Sequence, residues 1–489
     1  MQALARSTLP VLNVLGAVLA LFAFSMLIPL AVAYFGGDKA LVAYDTAFLV
    51  TLGCGAATFA ATYRFRRELQ PRDGFLLVTL VWTVLPAFAT LPLLLHLPQM
   101  SFTDAYFETM SGLTTTGATV MVGLDDLPLS INVWRHLLVW IGGMGIIVLA
   151  VAILPLLGMG GSQLYKAETA GPFKETKLTP RIAQTAKGLY TVYFAVSAAC
   201  FLAFRIAGMT WADAFMHMCS TMGLGGFSSH DASFGYFDSP AIEAVAVVFM
   251  LIAGFNFSMH FLAWRKRSLR GYLTDVEGLA FVAVTLGGVL VVALYLLWHG
   301  QYPDFATSLR YALFNTVSIA TTTGYANTDY YQWPPFAPVL MLLLCCFATC
   351  AGSTGGGIKM IRAIILVKQA RRELTRIVHP RVVNPVTLGG AIIDNPVIFA
   401  VLAFMQLWGV AVVGLTFALL WTGLDLVSAF SAVIACIANT GPGLNQVGPA
   451  TNYAVLSDAG TWVCSFAMLI GRLELMSVLV LLTPDFWRR

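Results

Sequence analysis

Four apolar stretches of this chain, near residues 102–113, 211–222, 308–320 and 426–438, each stop at a short glycine-bearing string. The strings are Thr114-Thr115-Thr116-Gly117, Met222-Gly223-Leu224-Gly225, Thr321-Thr322-Thr323-Gly324 and Ala438-Asn439-Thr440-Gly441. Their glycines lie 108, 99 and 117 residues apart, and each string has a longer apolar segment before it and another after it. A helix needs roughly 20 apolar residues to cross hydrocarbon, so these four stretches suit re-entrant helices better than spans. The matched positions extend upstream. Phe107, Phe215 and Phe314 each lie ten residues before their glycine, and Ser431 holds that place in the fourth unit, with Phe430 beside it.

The surrounding chain reads as an integral membrane protein. Hydrophobic residues make up 58% and charged residues 11%, against about 45–50% and about 25% in soluble domains; the mean hydropathy is +0.79. Ten segments are long enough to span, near 11–35, 45–63, 74–95, 134–157, 188–207, 241–263, 278–298, 337–366, 397–421 and 461–483. The first exceeds the h-region of a signal peptide and is expected to be a retained span. With the N-terminus inside, Lys39, Arg135, Arg205 and Arg310 fall outside, Lys359 and Arg472 fall at membrane depth, and the other 22 of 28 Lys and Arg are cytoplasmic. That is the positive-inside bias, so the net charge of +4 reflects topology and no nucleic-acid partner is expected. An even number of spans returns the C-terminus to the cytoplasm. The eight cysteines all sit in apolar segments and are expected as buried thiols.

The organisation that follows is all-α: two leading helices over 1–73, then four helix–short helix–helix units over 74–187, 188–277, 278–396 and 397–489, grouped with pseudo-fourfold symmetry around one axis. No GxGxxG or Walker A motif occurs, so no nucleotide site is expected in the chain, and no nucleophile–base pair or metal cluster suggests an enzyme.

An ion crossing a membrane must exchange its water for other oxygens, and rings of backbone carbonyls can supply them. Turning several carbonyls toward one axis calls for backbone with positive φ, hence glycine. The candidate ion-facing residues are therefore Thr115, Thr116 and Gly117; Gly223, Leu224 and Gly225; Thr322, Thr323 and Gly324; and Asn439, Thr440 and Gly441. Four helix C-termini aimed at the axis would favour a cation. Asp104, Asp125, Asp126, Asp213, Asp231, Asp238, Asp304, Asp329, Asp425 and Asp458 are expected at the outer mouth, where they could concentrate cations. His136 and His217 are expected to pack or to hydrogen-bond the short helices.

A gate is expected where the eighth segment breaks, at 351–357. Gly352, Ser353, Thr354, Gly355, Gly356 and Gly357 are hostile to helix, and broken backbone at membrane depth survives only against protein or a water-filled cavity. Arg472 is costly at that depth and needs a partner; it is expected to hold this loop, with a local pair to Glu474 as the alternative. Lys359 is either a gate element or a residue reaching the inner interface.

These residues resemble the TrkH family of bacterial Trk-type potassium uptake subunits, within the superfamily of K⁺ transporters that also holds KtrB and the plant high-affinity K⁺ transporters. The four strings carry the resemblance, with Trp140-Ile141-Gly142-Gly143-Met144-Gly145, the stretches Gln163–Thr169 and Lys177–Ala183, and the loop at 352–357. The resemblance implies K⁺ as the transported ion, with Gly117 favouring it over Na⁺. It implies gating by the loop and Arg472, homodimers with one pore per protomer, and a cytosolic nucleotide-binding TrkA-type subunit on the basic face of a bacterial inner-membrane protein. An H⁺- or Na⁺-coupled K⁺ symporter is the alternative to a channel-like pore. The fourth string departs most from the family pattern, so its register is expected to be the loosest.

Overall fold

The computed structural model describes residues 2–67, 69–148 and 182–488. The stretches Gln163–Thr169 and most of Lys177–Ala183, together with the end of the fourth expected span, lie outside the described residues. Among the described residues the regular structure is helical, apart from a two-stranded hairpin pairing Thr387–Leu388 with Ala391–Ile392. Among the described residues, six helices are long and apolar enough to cross a membrane, and two bent helix pairs raise this to eight. This is a multi-pass membrane protein.

The two leading spans, Thr8–Gly36 and Leu41–Phe65, cross at glycines. A Cβ on Gly16 would lie 2.6 Å from the Phe59 amide nitrogen, and one on Gly55 would lie 2.5 Å from that of Ala20. Only small residues allow backbones so close, and close approach is what drives helix association in lipid.

Three of the expected spans are not continuous. The sixth is two helices, Pro240–Gly254 and Phe257–Lys266, bent by 92°. The tenth bends by 111° between Asp458–Arg472 and Leu475–Leu482. The eighth divides into Phe336–Phe347 and Met360–Val378, with non-helical chain between. Hydropathy records how apolar a stretch is and is blind to a bend within it. One local signal was present: Asn256 starts the second half of the sixth segment, and its side chain accepts the Ser258 amide (2.8 Å), an N-cap.

All four short helices form: Phe102–Leu113, Trp211–Gly223, Phe305–Ala320 and Leu426–Ile437. Each begins with the same device in different residues. Ser101, Thr210, Asp304 and Asp425 accept the amide of Asp104, Asp213, Thr307 and Ser428 respectively, so an otherwise orphaned N–H is satisfied each time. The Thr307 amide and hydroxyl hold the Asp304 carboxyl below the usual carboxylate range. The end of the molecule carrying these caps is called upper below, and the opposite end lower. Seven of the eight cysteines are buried free thiols, while Cys54 is exposed on the second span, where apolar surroundings do not require burial within protein.

Candidate ion pathway

Each short helix ends in one residue with left-handed backbone: Thr115 (φ 53°), Leu224 (55°), Thr322 (59°) and Asn439 (54°). The amide of each donates to the carbonyl three residues back: Gly112, Thr221, Ile319 and Cys436. The next amide, on Thr116, Gly225, Thr323 and Thr440, reaches five residues back, to Ser111, Ser220, Ser318 and Ala435. This pattern sets the register of the strings. Gly225 is therefore the counterpart of Thr116, and the counterpart of Gly117, Gly324 and Gly441 is Gly226. The expectation that Gly225 occupies the glycine position fails by one residue. It fails in the second string, whereas the fourth, expected to be the loosest, keeps its register. Gly117, Gly324 and Gly441 have φ of 82°, 90° and 98°, whereas neither Gly225 nor Gly226 has positive φ, so the register of the second string rests on its hydrogen bonds and close contacts. The upstream match shifts too: Met216, 2% exposed, takes the place assigned to Phe215 and lines up with buried Phe107, Phe314 and Ser431.

The corrected glycines form a cycle. A Cβ on Gly117 would lie 2.4 Å from the Gly226 nitrogen. On Gly226 it would lie 2.5 Å from the Thr323 oxygen, on Gly324 2.0 Å from the Thr440 oxygen, and on Gly441 2.7 Å from the Thr116 oxygen. The strings thus meet in the order one, two, three, four and back to one, each pressed on the next where a side chain has no room. All four glycines line one upper cavity. Asn439 ties the last string to the first, donating from Nδ2 to Thr116 Oγ1 (3.0 Å) and to the Met468 carbonyl (3.0 Å).

A buried ion pair braces the first string from behind, and sequence reasoning missed it. Arg135, expected as an outer base, is 1% exposed, and its Nε donates to Glu108 Oε1 (2.8 Å). Glu108, also 1% exposed, accepts as well from the Thr119 hydroxyl and the Val120 amide just beyond Gly117. Arg310, on the third short helix, pairs with Glu243 (2.8 Å) and Asp238 (2.9 Å) and so joins units two and three. The ten aspartates read as an outer mouth mostly serve locally. Asp304 and Asp425 cap helices, and of the ten only Asp231 lines the upper cavity. His217 lies within the short-helix packing as expected, with Nδ1 against the Asp213 carbonyl (2.9 Å) and Nε2 against Ser228 Oγ (3.0 Å); His136 Nδ1 faces the Asn132 carbonyl (2.7 Å).

Beneath the strings lies the non-helical chain at 348–359. Arg472, 3% exposed, donates from Nη1 to the Thr354 carbonyl (2.8 Å) and from Nη2 to the Gly142 carbonyl (3.2 Å). The expected contact between Arg472 and the loop is therefore present. Glu474 pairs with buried Arg362 instead (3.0 Å). Thr354 Oγ1 donates to the Met222 carbonyl (2.9 Å), and the Gly356 amide donates to Thr322 Oγ1 (2.9 Å). Lys359 Nζ turns back to the Gly355 carbonyl. Glu277, which the sequence reading did not single out, anchors both sides of the loop: its Oε1 accepts the amides of Ala351 (2.7 Å) and Ile361 (3.2 Å). The broken backbone of the sixth segment packs here as well, with the Phe257 amide on the Gly352 carbonyl (3.0 Å). A lower cavity is lined by Gly355, Gly356, Lys359, Arg362, Arg472 and Glu474, among others, and among the described residues it shares no lining residue with the upper one. Loop and strings lie between the two.

Comparison with known proteins gives a consistent result. A family model described as TrkH, cation transport protein, matches residues 45–488. The chain is 48% identical to the Trk system potassium uptake protein TrkH of Vibrio parahaemolyticus, over 98% of this chain and 99% of that protein. It is 44% identical to TrkH of Escherichia coli over 97% and 98%, and 35% identical to TrkI of Halomonas elongata over 99% and 98%. The crystal structure of the potassium transporter TrkH from Vibrio parahaemolyticus superposes with a TM-score of 0.90, at 46% identity, covering 98% of this chain and 99% of that one.

Proposed function

This chain belongs to the TrkH family of cation transport proteins, and from that premise we propose that it takes up K⁺ through one gated, channel-like pore on the axis of its four strings. The closed cycle of glycines lining the upper cavity carries the reading. Backbone carbonyls of Thr115, Thr116 and Gly117; Leu224, Gly225 and Gly226; Thr322, Thr323 and Gly324; and Asn439, Thr440 and Gly441 replace the water of the ion. Selection by backbone explains why side chains at matched places differ so freely, as with Thr115, Leu224 and Asn439. The names of the relatives, potassium uptake proteins, support K⁺ as the cargo.

The same reading makes the loop at 352–357 the gate and Arg472 its latch. Arg472 holds the loop by a charged donor on a buried carbonyl, and it places a fixed positive charge on the route of a cation. The upper end then faces outward and both termini are cytoplasmic, in a bacterial inner membrane. The protein works as a homodimer, with a TrkA-type nucleotide-binding subunit on the basic lower face around Arg64, Arg265 and Arg371. Crosslinking from cysteines placed on that face tests the partner.

The deciding experiment is ion flux in liposomes. K⁺ and Rb⁺ are expected to pass well ahead of Na⁺; equal passage would defeat the assignment of the strings. Currents should reverse at the K⁺ equilibrium potential. Reversal that follows an imposed H⁺ or Na⁺ gradient would replace the pore with a coupled symporter.

A further inference from the structure

We propose that Thr322 couples the ion to the gate: its hydroxyl oxygen is contested by the loop amide of Gly356 and by a cation at the lower end of the strings, so a docked loop and an ion there exclude one another. The proposal rests on the reading of the strings as a cation filter and adds a way for the ion itself to regulate the gate.

Thr115 and Thr322 hold the same place in strings one and three, which face each other across the cycle. Both have left-handed backbone (φ 53° and 59°), both donate to the carbonyl three residues back, and both are fully buried. Their hydroxyls differ in one respect. Thr115 Oγ1 has no hydrogen-bond partner among the described residues, a costly state for a buried hydroxyl. Thr322 Oγ1 accepts the Gly356 amide at 2.9 Å. The second string has Leu224 at this place, with no side-chain oxygen to offer. Thr115 thus offers a buried hydroxyl oxygen opposite the one that the loop takes up.

The loop is shaped to reach this spot. A Cβ on Gly355 would lie 3.1 Å from Thr322 Oγ1, and one on Gly356 would lie 2.0 Å from the Ala438 carbonyl oxygen. Any side chain at Gly356 would keep the loop from docking. Once docked, the Gly356 N–H points the positive end of its dipole at Thr322 Oγ1. A cation on that oxygen meets the same positive end, in surroundings where charges are weakly screened. Thr349 gives the internal contrast. Its Oγ1 donates to the Gly356 carbonyl at 2.8 Å, holding the same loop residue without belonging to any string.

Amide exchange across 352–357 in the full-length protein in nanodiscs tests this, in KCl and in N-methylglucamine chloride at equal ionic strength. In the wild type, K⁺ is expected to speed exchange at Gly356 about fivefold, the effect of one buried hydrogen bond. Thr322→Val should remove that dependence on K⁺, and Thr322→Ser should keep it. Thr349→Val should speed exchange in both salts while preserving the difference between them. Equal wild-type rates in the two salts would overturn the coupling, as would a K⁺ response that survives Thr322→Val. If Thr322→Val does not fold, the wild-type and Thr322→Ser comparisons still decide. Selective K⁺ flux with salt-insensitive exchange defeats only the coupling. Unselective flux with salt-sensitive exchange defeats only the filter reading.

Discussion

The glycine cycle and the layer beneath it are made by the same four units, and they treat repetition in opposite ways. In the cycle each unit delivers the same backbone turn and the same bare Cα to its neighbour, although the side chains vary. In the lower layer the units diverge, and only the second and fourth share a sharp bend. The first keeps a helix through Gly142, the second bends at Phe255 and Asn256, the third opens into the loop, and the fourth breaks after Arg472. Selection by a ring of carbonyls needs four near-equal contributions around one axis. Blocking a path needs one element that moves and others that receive it. On the proposed reading, four similar units serve both ends because the turn is held constant above while the backbone diverges below.

Four tests press on this contrast. Gly324→Ala should have the largest effect. Its Cβ would fall 2.0 Å from the Thr440 oxygen, on backbone at φ 90°, so Rb⁺ uptake into liposomes should drop by about a hundredfold or more. Near-normal uptake would show that the cycle is looser than its contacts. Arg472→Gln should act in the opposite direction. Losing a charged donor on the Thr354 carbonyl is expected to raise flux without any partner about tenfold. A fall would make Arg472 a structural brace and not a latch.

The third test addresses register. Gly226→Ser should cost more K⁺ over Na⁺ discrimination than Gly225→Ser, by about threefold in permeability ratio. The added Cβ at Gly226 meets the next string at 2.5 Å, whereas at Gly225 the nearest approach is 2.9 Å, to Thr115. The reverse order would restore Gly225 to the glycine position.

The smallest effect concerns the upper loops, where His230 sits between Asp125 and Asp213. Burial alone would lower its pKa, but the hydrogen bonds and charges of the two carboxylates outweigh it and raise the value. Stabilisation by charged His230 is then complete below its unfolded value near 6.5 and is lost as pH rises through the higher folded value. His230→Gln should erase a shift of about 2 °C in melting temperature across that interval. An unchanged pH profile would mean that the clamp adds nothing.

How far these regions could be read from sequence follows the same division. The short helices were legible because length and apolar content are local properties, and all four formed where expected. The second register was not. Gly223, Gly225 and Gly226 offer several glycine positions, and the structure spends the left-handed turn on Leu224, a residue that pays a steric cost there. Arg472 could be singled out because a buried charge demands an explanation. Its partners, the carbonyls of Thr354 and Gly142, could not, since any backbone carbonyl would serve equally well. Glu108 and Glu277 were passed over for a related reason: each is one acid in an unremarkable stretch, and its importance comes from amides and a guanidinium brought in from distant segments.

The closure of the glycine cycle has a mechanical consequence. A row of four contacts would have two loose ends at which strain could be relieved, whereas a cycle behaves as a hoop. Widening at one string has to be taken up by its neighbours, and Asn439, bonded to Thr116, joins the last segment of the hoop to the first. Under the proposed function, the bore is then a property of the whole circumference and not of any single string. The ion diameter it accepts should change in steps, when the hoop gives way, and not gradually as one residue after another is altered.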